Sequence, residues 1–257
     1  MQVLCAELGI QIVKVGLFLA CFNESLFPET GKSVVKILEQ LNCEVDFPLA
    51  QTCCGQLQYN SGFQEHTLAL ARRFVDIFAP YDAVVSPSSS CTHMVKEVFL
   101  QLAEDFNDHD FELKVRNLAQ KTWEFTEFLV DKLKVTKLGA YYPHTVTYHA
   151  TCSSSLGLKL GDRPLRLLKE VEGLELVEME SANECCGFGG TFAVKNKEVS
   201  TAMLQDKIAA IEAVGVKYCV AVDNSCLMHI GGGLSKKNSE IEVIHLADIL
   251  ASRKEEV

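Results

Sequence analysis

Two short stretches decide how this chain folds, Thr52-Cys53-Cys54-Gly55 and Glu184-Cys185-Cys186-Gly187. Each is preceded by a β-rich apolar run that stops at a cysteine, residues 14–20 before Cys21 and residues 145–151 before Cys152. Each is followed by a helical stretch and a second apolar run, residues 83–86 before Cys91 and residues 218–222 before Cys226. Counting intervening residues, the halves read Cys-x31-Cys-Cys-x36-Cys and Cys-x32-Cys-Cys-x39-Cys. Spacings this similar mark an internal repeat, which has to be recognised before any element is assigned.

Outward from these stretches, the hydrophobic period switches between two and 3.6 in the same order in both halves. The first half predicts strands at 14–20, 44–47 and 83–86, with helices at 30–41 and 63–78 and a third beginning near Cys91. The second predicts strands at 146–149, 175–178 and 218–222, with helices at 164–170 and 197–214. Such alternation implies right-handed crossovers and mainly parallel sheets. The expected fold is α/β, two pseudo-repeated three-layer units at 14–140 and 141–253. Residues 113–133, with the single Trp123, read as a helical trailer to the first unit. Eight cysteines then fall at the C-terminal ends of strands, where open α/β sheets bind ligands. Cys5, Cys43 and Cys219 have no counterpart in the other half and read as ordinary small residues.

Composition narrows the chemistry. With 24 Lys+Arg against 34 Asp+Glu in 257 residues, the net charge of −10 argues against a nucleic-acid binder. At 48% hydrophobic and 23% charged, the chain has the makeup of a soluble globular protein. Eleven cysteines is an odd count, which a closed disulfide framework would not show. No basic residue precedes Lys14 and Glu7 is acidic, so a secretory signal is not expected. No apolar stretch approaches the roughly 18–20 residues of a membrane span. The expectation is a cytoplasmic protein with reduced thiols, where clustered cysteines mean metal or redox chemistry.

Four thiolates gathered in each half have several uses. A structural zinc site is one, but zinc knuckles favour Cys-x2–4-Cys and no Cys-x-x-Cys occurs here. Adjacent ligands such as Cys53-Cys54 suit a multi-iron cluster, in which each thiolate meets a different iron. Thiol–disulfide redox stays open as well. The compact ferredoxin run is absent.

The doubled pattern resembles the cysteine-rich CCG domain family, whose members include a cysteine-rich component of heterodisulfide reductase and the iron–sulfur component of glycolate oxidase. Its marks here are Cys43-Glu44-Val45-Asp46-Phe47-Pro48, Cys53-Cys54-Gly55-Gln56, Tyr59-Asn60-Ser61-Gly62, Ser90-Cys91-Thr92 and Cys185-Cys186-Gly187-Phe188-Gly189-Gly190-Thr191-Phe192. The resemblance runs from about Lys14 to Arg253 and points to a stand-alone, two-repeat branch concerned with lactate utilization. It implies iron–sulfur clusters held by Cys21, Cys53, Cys54, Cys91, Cys152, Cys185, Cys186 and Cys226. It further implies electron transfer in an NAD-independent oxidoreductase complex that oxidises L-lactate to pyruvate. Companion lactate utilization proteins, one of them ferredoxin-like, and a small 2-hydroxy acid substrate would be its partners. Heterodisulfide-type thiol chemistry and a glycolate oxidase role are the alternatives.

One departure qualifies the resemblance. The heterodisulfide reductase motif closes with Cys-x-x-Cys, whereas Ser88 and Asp223 stand three residues before Cys91 and Cys226. Four thiolates per half favour an ordinary four-iron, four-sulfur cluster over the non-cubane form, or one ligated partly by Asp223 oxygen. The glycines at 187–190 would let backbone N–H groups approach sulfur closely. His93, His149 and His229 lie within three residues of proposed ligands, as ligands, hydrogen-bond donors, bases or plain half-buried residues. No flavin or nicotinamide motif is present, so electrons have to pass to a partner.

Overall fold

Val15, Leu17, Ala83 and Val85 point to one face of a sheet, while Phe18 and Val84 point to the other, the period-two alternation of strands buried on both sides. The protein is described by a computed structural model for residues 12–19 and 21–255. Cys5, the N-terminal stretch considered for a signal, and Ala20 at the end of the first expected strand lie outside the described residues. The first sheet contains β1 (Lys14–Leu17), β2 (Glu44–Asp46), β3 (Ala83–Ser86) and β4 (Thr122–Glu124), in the order β2-β1-β3-β4. The second contains β5 (Thr145–Tyr148), β6 (Glu175–Leu176), β7 (Tyr218–Ala221) and β8 (Glu242–His245), in the matching order β6-β5-β7-β8. Every pairing is parallel.

The expected α/β repeat is therefore present, with two corrections. Residues 113–133 are not one helical trailer. The helix His109–Gln120 ends, β4 adds a strand to the sheet beside β3, and helical structure resumes at Phe125. Glu124 starts that second helix, its side chain accepting from the backbone of Thr126 and Glu127 while Glu127 reaches back to its own amide. The second sheet likewise gains a fourth strand, β8, which the expected elements did not include. No helix among the described residues is long and apolar enough to cross a membrane.

Helices cover both faces of each sheet, and those between the sheets share one core. Val34, Ile37 and Leu38 from Pro28–Gln40 meet Leu246, Ile249 and Leu250 from Leu246–Ala251 in a single apolar cluster containing Val15, Val85, Val146 and Val220. The outer faces have separate cores. Phe18, Phe74, Phe78 and Phe99 fill the first, and Ile208, Ile211, Cys219 and Ile230 fill the second.

A buried polar seam complements this shared core. Ser88 and Asp223 are the N-cap residues of the helices that begin at Ser89 and Asn224. They face each other across the halves. Asp223 Oδ2 accepts from Ser90 N at 2.8 Å, Ser88 Oγ at 3.1 Å and Ser89 Oγ at 3.3 Å. Its Oδ1 accepts from Ser225 Oγ at 2.6 Å and Ser225 N at 3.1 Å. Asn224 donates to Asn23 Oδ1 at 2.8 Å, and the His245 ring reaches the Pro87 carbonyl at 3.0 Å.

Removing the Asp223 carboxylate strands several buried donors together, and charge-assisted bonds of this kind are worth more than neutral ones. Asp223→Ala should therefore lower stability by about 3 kcal/mol. The check is a urea melt of the metal-free protein: a shifted midpoint with an unchanged slope is expected, and a wild-type midpoint would show that the seam contributes nothing.

Candidate metal centre

Chain order sets where the cysteines lie. In each sheet, connections leave the two central strands in opposite directions, which opens a crevice beyond their C-terminal ends. Cys21 and Cys152 follow β1 and β5, while Cys91 and Cys226 lie in the first turn of the helices after β3 and β7. The pairs Cys53-Cys54 and Cys185-Cys186 come in from the loops after β2 and β6. Because the seam sets the two crevices face to face, all eight of these cysteines line one cavity of about 100 Å³. The sequence placed four sulfurs together in each half, and the structure brings both fours to the same cavity. Cys43 and Cys219 lie elsewhere, in apolar cores.

Each group of four is graded from surface to interior in the same way. Cys21 and Cys152 are exposed, Cys53 and Cys185 intermediate, and Cys54, Cys91, Cys186 and Cys226 buried. Within the first group, Cys54 and Cys91 sulfurs are 3.5 Å apart. Glycine completes the local geometry: Gly55 and Gly187 have φ of 84° and 89°, a conformation that other residues adopt only with strain. That turn directs the Gly55 amide to Cys53 Sγ at 3.4 Å and the Gly187 amide to Cys185 Sγ at 3.3 Å. A side chain at Gly187 would also meet the Ser200 carbonyl at 2.7 Å. Backbone N–H groups therefore do approach sulfur at the glycines.

Crowded thiols divide their protons unevenly. Cys53 accepts hydrogen bonds from the thiols of Cys21 and Cys54 and from the Gly55 amide, which hold it down to about 3. Cys185 is held down to about 2 by Cys152, Cys186 and the Gly187 amide. The donors move the other way. Cys21 and Cys152 are pushed up by the bonds they give and by burial, as are Cys54 and Cys186. In each half one sulfur carries negative charge and the two thiols that donate to it keep their protons. No lysine or arginine lines the cavity among the described residues. A soft donor set that carries negative charge suits a thiophilic metal or an iron–sulfur cluster.

The other residues singled out in the sequence divide sharply. Asp223 lines the cavity, but both its oxygens are taken up by the seam, so partial oxygen ligation finds no free atom there. Ser88 serves as an N-cap, accepting from Cys91 N at 3.3 Å. His93 packs against Gly157, and His229 lies beside the Phe188 ring with Nε2 3.4 Å from Ser200 Oγ. His149 alone of the three stands close to sulfur, a ring nitrogen, Cys186 Sγ and Cys226 Sγ lying within 4.8 Å of one another. It is fully buried and neither ring nitrogen has a hydrogen-bond partner. The Ala182 carbonyl lies near the ring but outside hydrogen-bonding geometry. Burial, reinforced by the Lys207 ammonium, lowers the ring to about 4, which keeps it neutral. Sequence reasoning overlooked Lys207, a lysine with 1% of its surface exposed; a lone Lys amid the apolar positions of 197–214 was the available signal.

Comparison with known proteins agrees with this doubled site. A cysteine-rich (CCG) domain matches residues 15–96 and again residues 146–231. Lactate utilization protein A of Geobacillus kaustophilus (strain HTA426) is 43% identical over 244 residues, spanning 94% of this chain and 100% of that protein. The protein of the same name from Oceanobacillus iheyensis is 40% identical over 243 residues, spanning 95% and 98%. Among solved structures, a hypothetical protein from Helicobacter pylori superposes with a TM-score of 0.62 at 12% identity. That match covers 93% of this chain and 48% of the other, and it speaks to the fold alone. The chain belongs to the cysteine-rich CCG domain family, in company with the lactate utilization A proteins.

The proton distribution is open to direct test on metal-free, reduced protein. Cys53 and Cys185 are ionised throughout the range pH 5–8, so their alkylation by iodoacetamide should be nearly independent of pH there. Cys21 and Cys152 are more exposed yet protonated, and their rates should climb about tenfold per pH unit. Peptide mapping of the alkylated sites reads both; a steep profile at Cys53 would contradict the assignment.

Proposed function

We propose that this member of the CCG family is an iron–sulfur electron carrier in a lactate-oxidising complex. Cys21, Cys53, Cys54 and Cys91 would hold one cluster, and Cys152, Cys185, Cys186 and Cys226 a second, each of the four-iron, four-sulfur type. The observation that carries the reading is the lining of a single cavity by two equivalent sulfur groups, each graded from exposed to buried. Four thiolates per group match the ligand count of such a cluster, and the Gly55 and Gly187 amides supply the hydrogen bonds to sulfur that tune its potential.

When bound, a cluster supplies one-electron redox chemistry in steps. Oxidation of L-lactate to pyruvate releases two electrons, which two centres in one cavity can receive singly. The lactate assignment is supported by relatives that carry lactate utilization in their name across nearly their whole length. Among the described residues, no group in the cavity is a free base for a substrate hydroxyl: the Asp223 carboxylate is fully bonded, and His149 stands behind the sulfurs rather than in the lining. Substrate dehydrogenation then falls to another subunit, and companion proteins, one of them ferredoxin-like, receive or deliver the electrons. Such a carrier works in the cytoplasm, where its thiols stay reduced.

Protein purified without oxygen should contain iron and labile sulfide approaching four per half, absorb in the visible and give an EPR signal on reduction. Cys53→Ser and Cys185→Ser should each remove about half of the iron. Zinc in a colourless protein would overturn the proposal, and lactate-driven reduction with the companion subunits present tests the substrate.

A further inference from the structure

The two sulfur groups are built alike but backed differently. Phe18 lies three residues before Cys21, and His149 lies three before Cys152. On the helices after the paired cysteines, Thr67 packs on Gly55 as Ser200 packs on Gly187. Counting seven residues on from each makes Phe74 the counterpart of Lys207. In the first half Phe18 and Phe74 meet edge to face at 4.6 Å, with Phe78 beside them. The sulfurs there are backed by an aromatic wall. In the second half the same two places hold a buried imidazole without hydrogen bonds and a buried lysine.

We propose that the second sulfur group is the higher-potential electron site of the pair, and that Lys207 and His149 set the difference as positioning residues. The inference rests on the iron–sulfur reading given above. Adding an electron makes a cluster more negative, and a nearby buried cation favours that state because little solvent screens it. Lys207 is within electrostatic reach of Cys185 and Cys186, and its ammonium is anchored to the Ser181 carbonyl at 2.6 Å. His149 has a ring nitrogen within 4.8 Å of the Cys186 and Cys226 sulfurs. A ring N–H turned toward sulfur also favours the reduced state. Phe18 and Phe74 offer the first group neither a charge nor a donor. Each centre takes up one electron without making or breaking a covalent bond, so the first electron to arrive rests on the second group.

The test is an anaerobic redox titration of the full chain followed by EPR, with dithionite as reductant and Cys53→Ser and Cys185→Ser assigning each signal to its half. In wild-type protein the second-half signal should appear first as the potential falls. Lys207→Met should move that signal to lower potential and leave the first-half signal in place, while Lys207→Arg should restore most of the shift. His149→Phe, which installs the residue of the first half, should move it in the same direction. Two signals appearing together, a first-half signal appearing first, or a Lys207→Met shift common to both would overturn the inference. The wild-type order alone decides if Lys207→Met fails to fold. A protein without iron would overturn the cluster reading too, and metal analysis separates that outcome from a failure of this inference alone.

Discussion

The Asp223 carboxylate is the contact on which the site depends. By accepting from the side chains of Ser88 and Ser89 and the amide of Ser90, it holds the first turn of one cysteine-bearing helix against the cap of the other. Together with the apolar core that the sheets share, it makes the two crevices two walls of one cavity. A buried carboxylate is costly unless every lone pair is matched, and here five donors match it. The residues at 88 and 223 are thus spent on joining the halves, which leaves binding to the sulfurs.

Symmetry and its breaking do different work in this protein. The repeated strand order, the Gly55 and Gly187 turns and the graded exposure of sulfur recur almost without change, as the construction of a four-sulfur group requires. Behind the sulfurs the halves diverge, aromatic on one side and basic on the other. Side chains at that distance do not decide what is bound. They decide the electrostatic field in which it sits.

Much of this was readable from the sequence, for identifiable reasons. Three strands of each sheet and the long helices follow from clear hydrophobic periods, and the 83–86 strand and the 197–214 helix match the structure residue for residue. Strand β4 was hidden because three residues cannot establish a period of two, and Trp123 continues the helical pattern around it. The eight cysteines were legible because their spacing repeats. Their meeting in one cavity was not: Ser88 and Asp223 stood out by their spacing from Cys91 and Cys226, but nothing in the sequence showed that they bond to each other across the halves. His149 was one of three equivalent candidates until burial and the absence of a partner set it apart.

The core between the sheets also governs the order of events at birth. Val15 and Leu246 belong to the same apolar cluster, so residues of the first half wait for residues of the second before that core can close. Pairings this distant along the chain close slowly. While the ribosome is still extending the second half, the first four sulfurs have no opposite wall and stand open to solvent, to metal donors and to oxidants alike. Assembly of this protein is therefore a race between closing the cavity and oxidising its thiols.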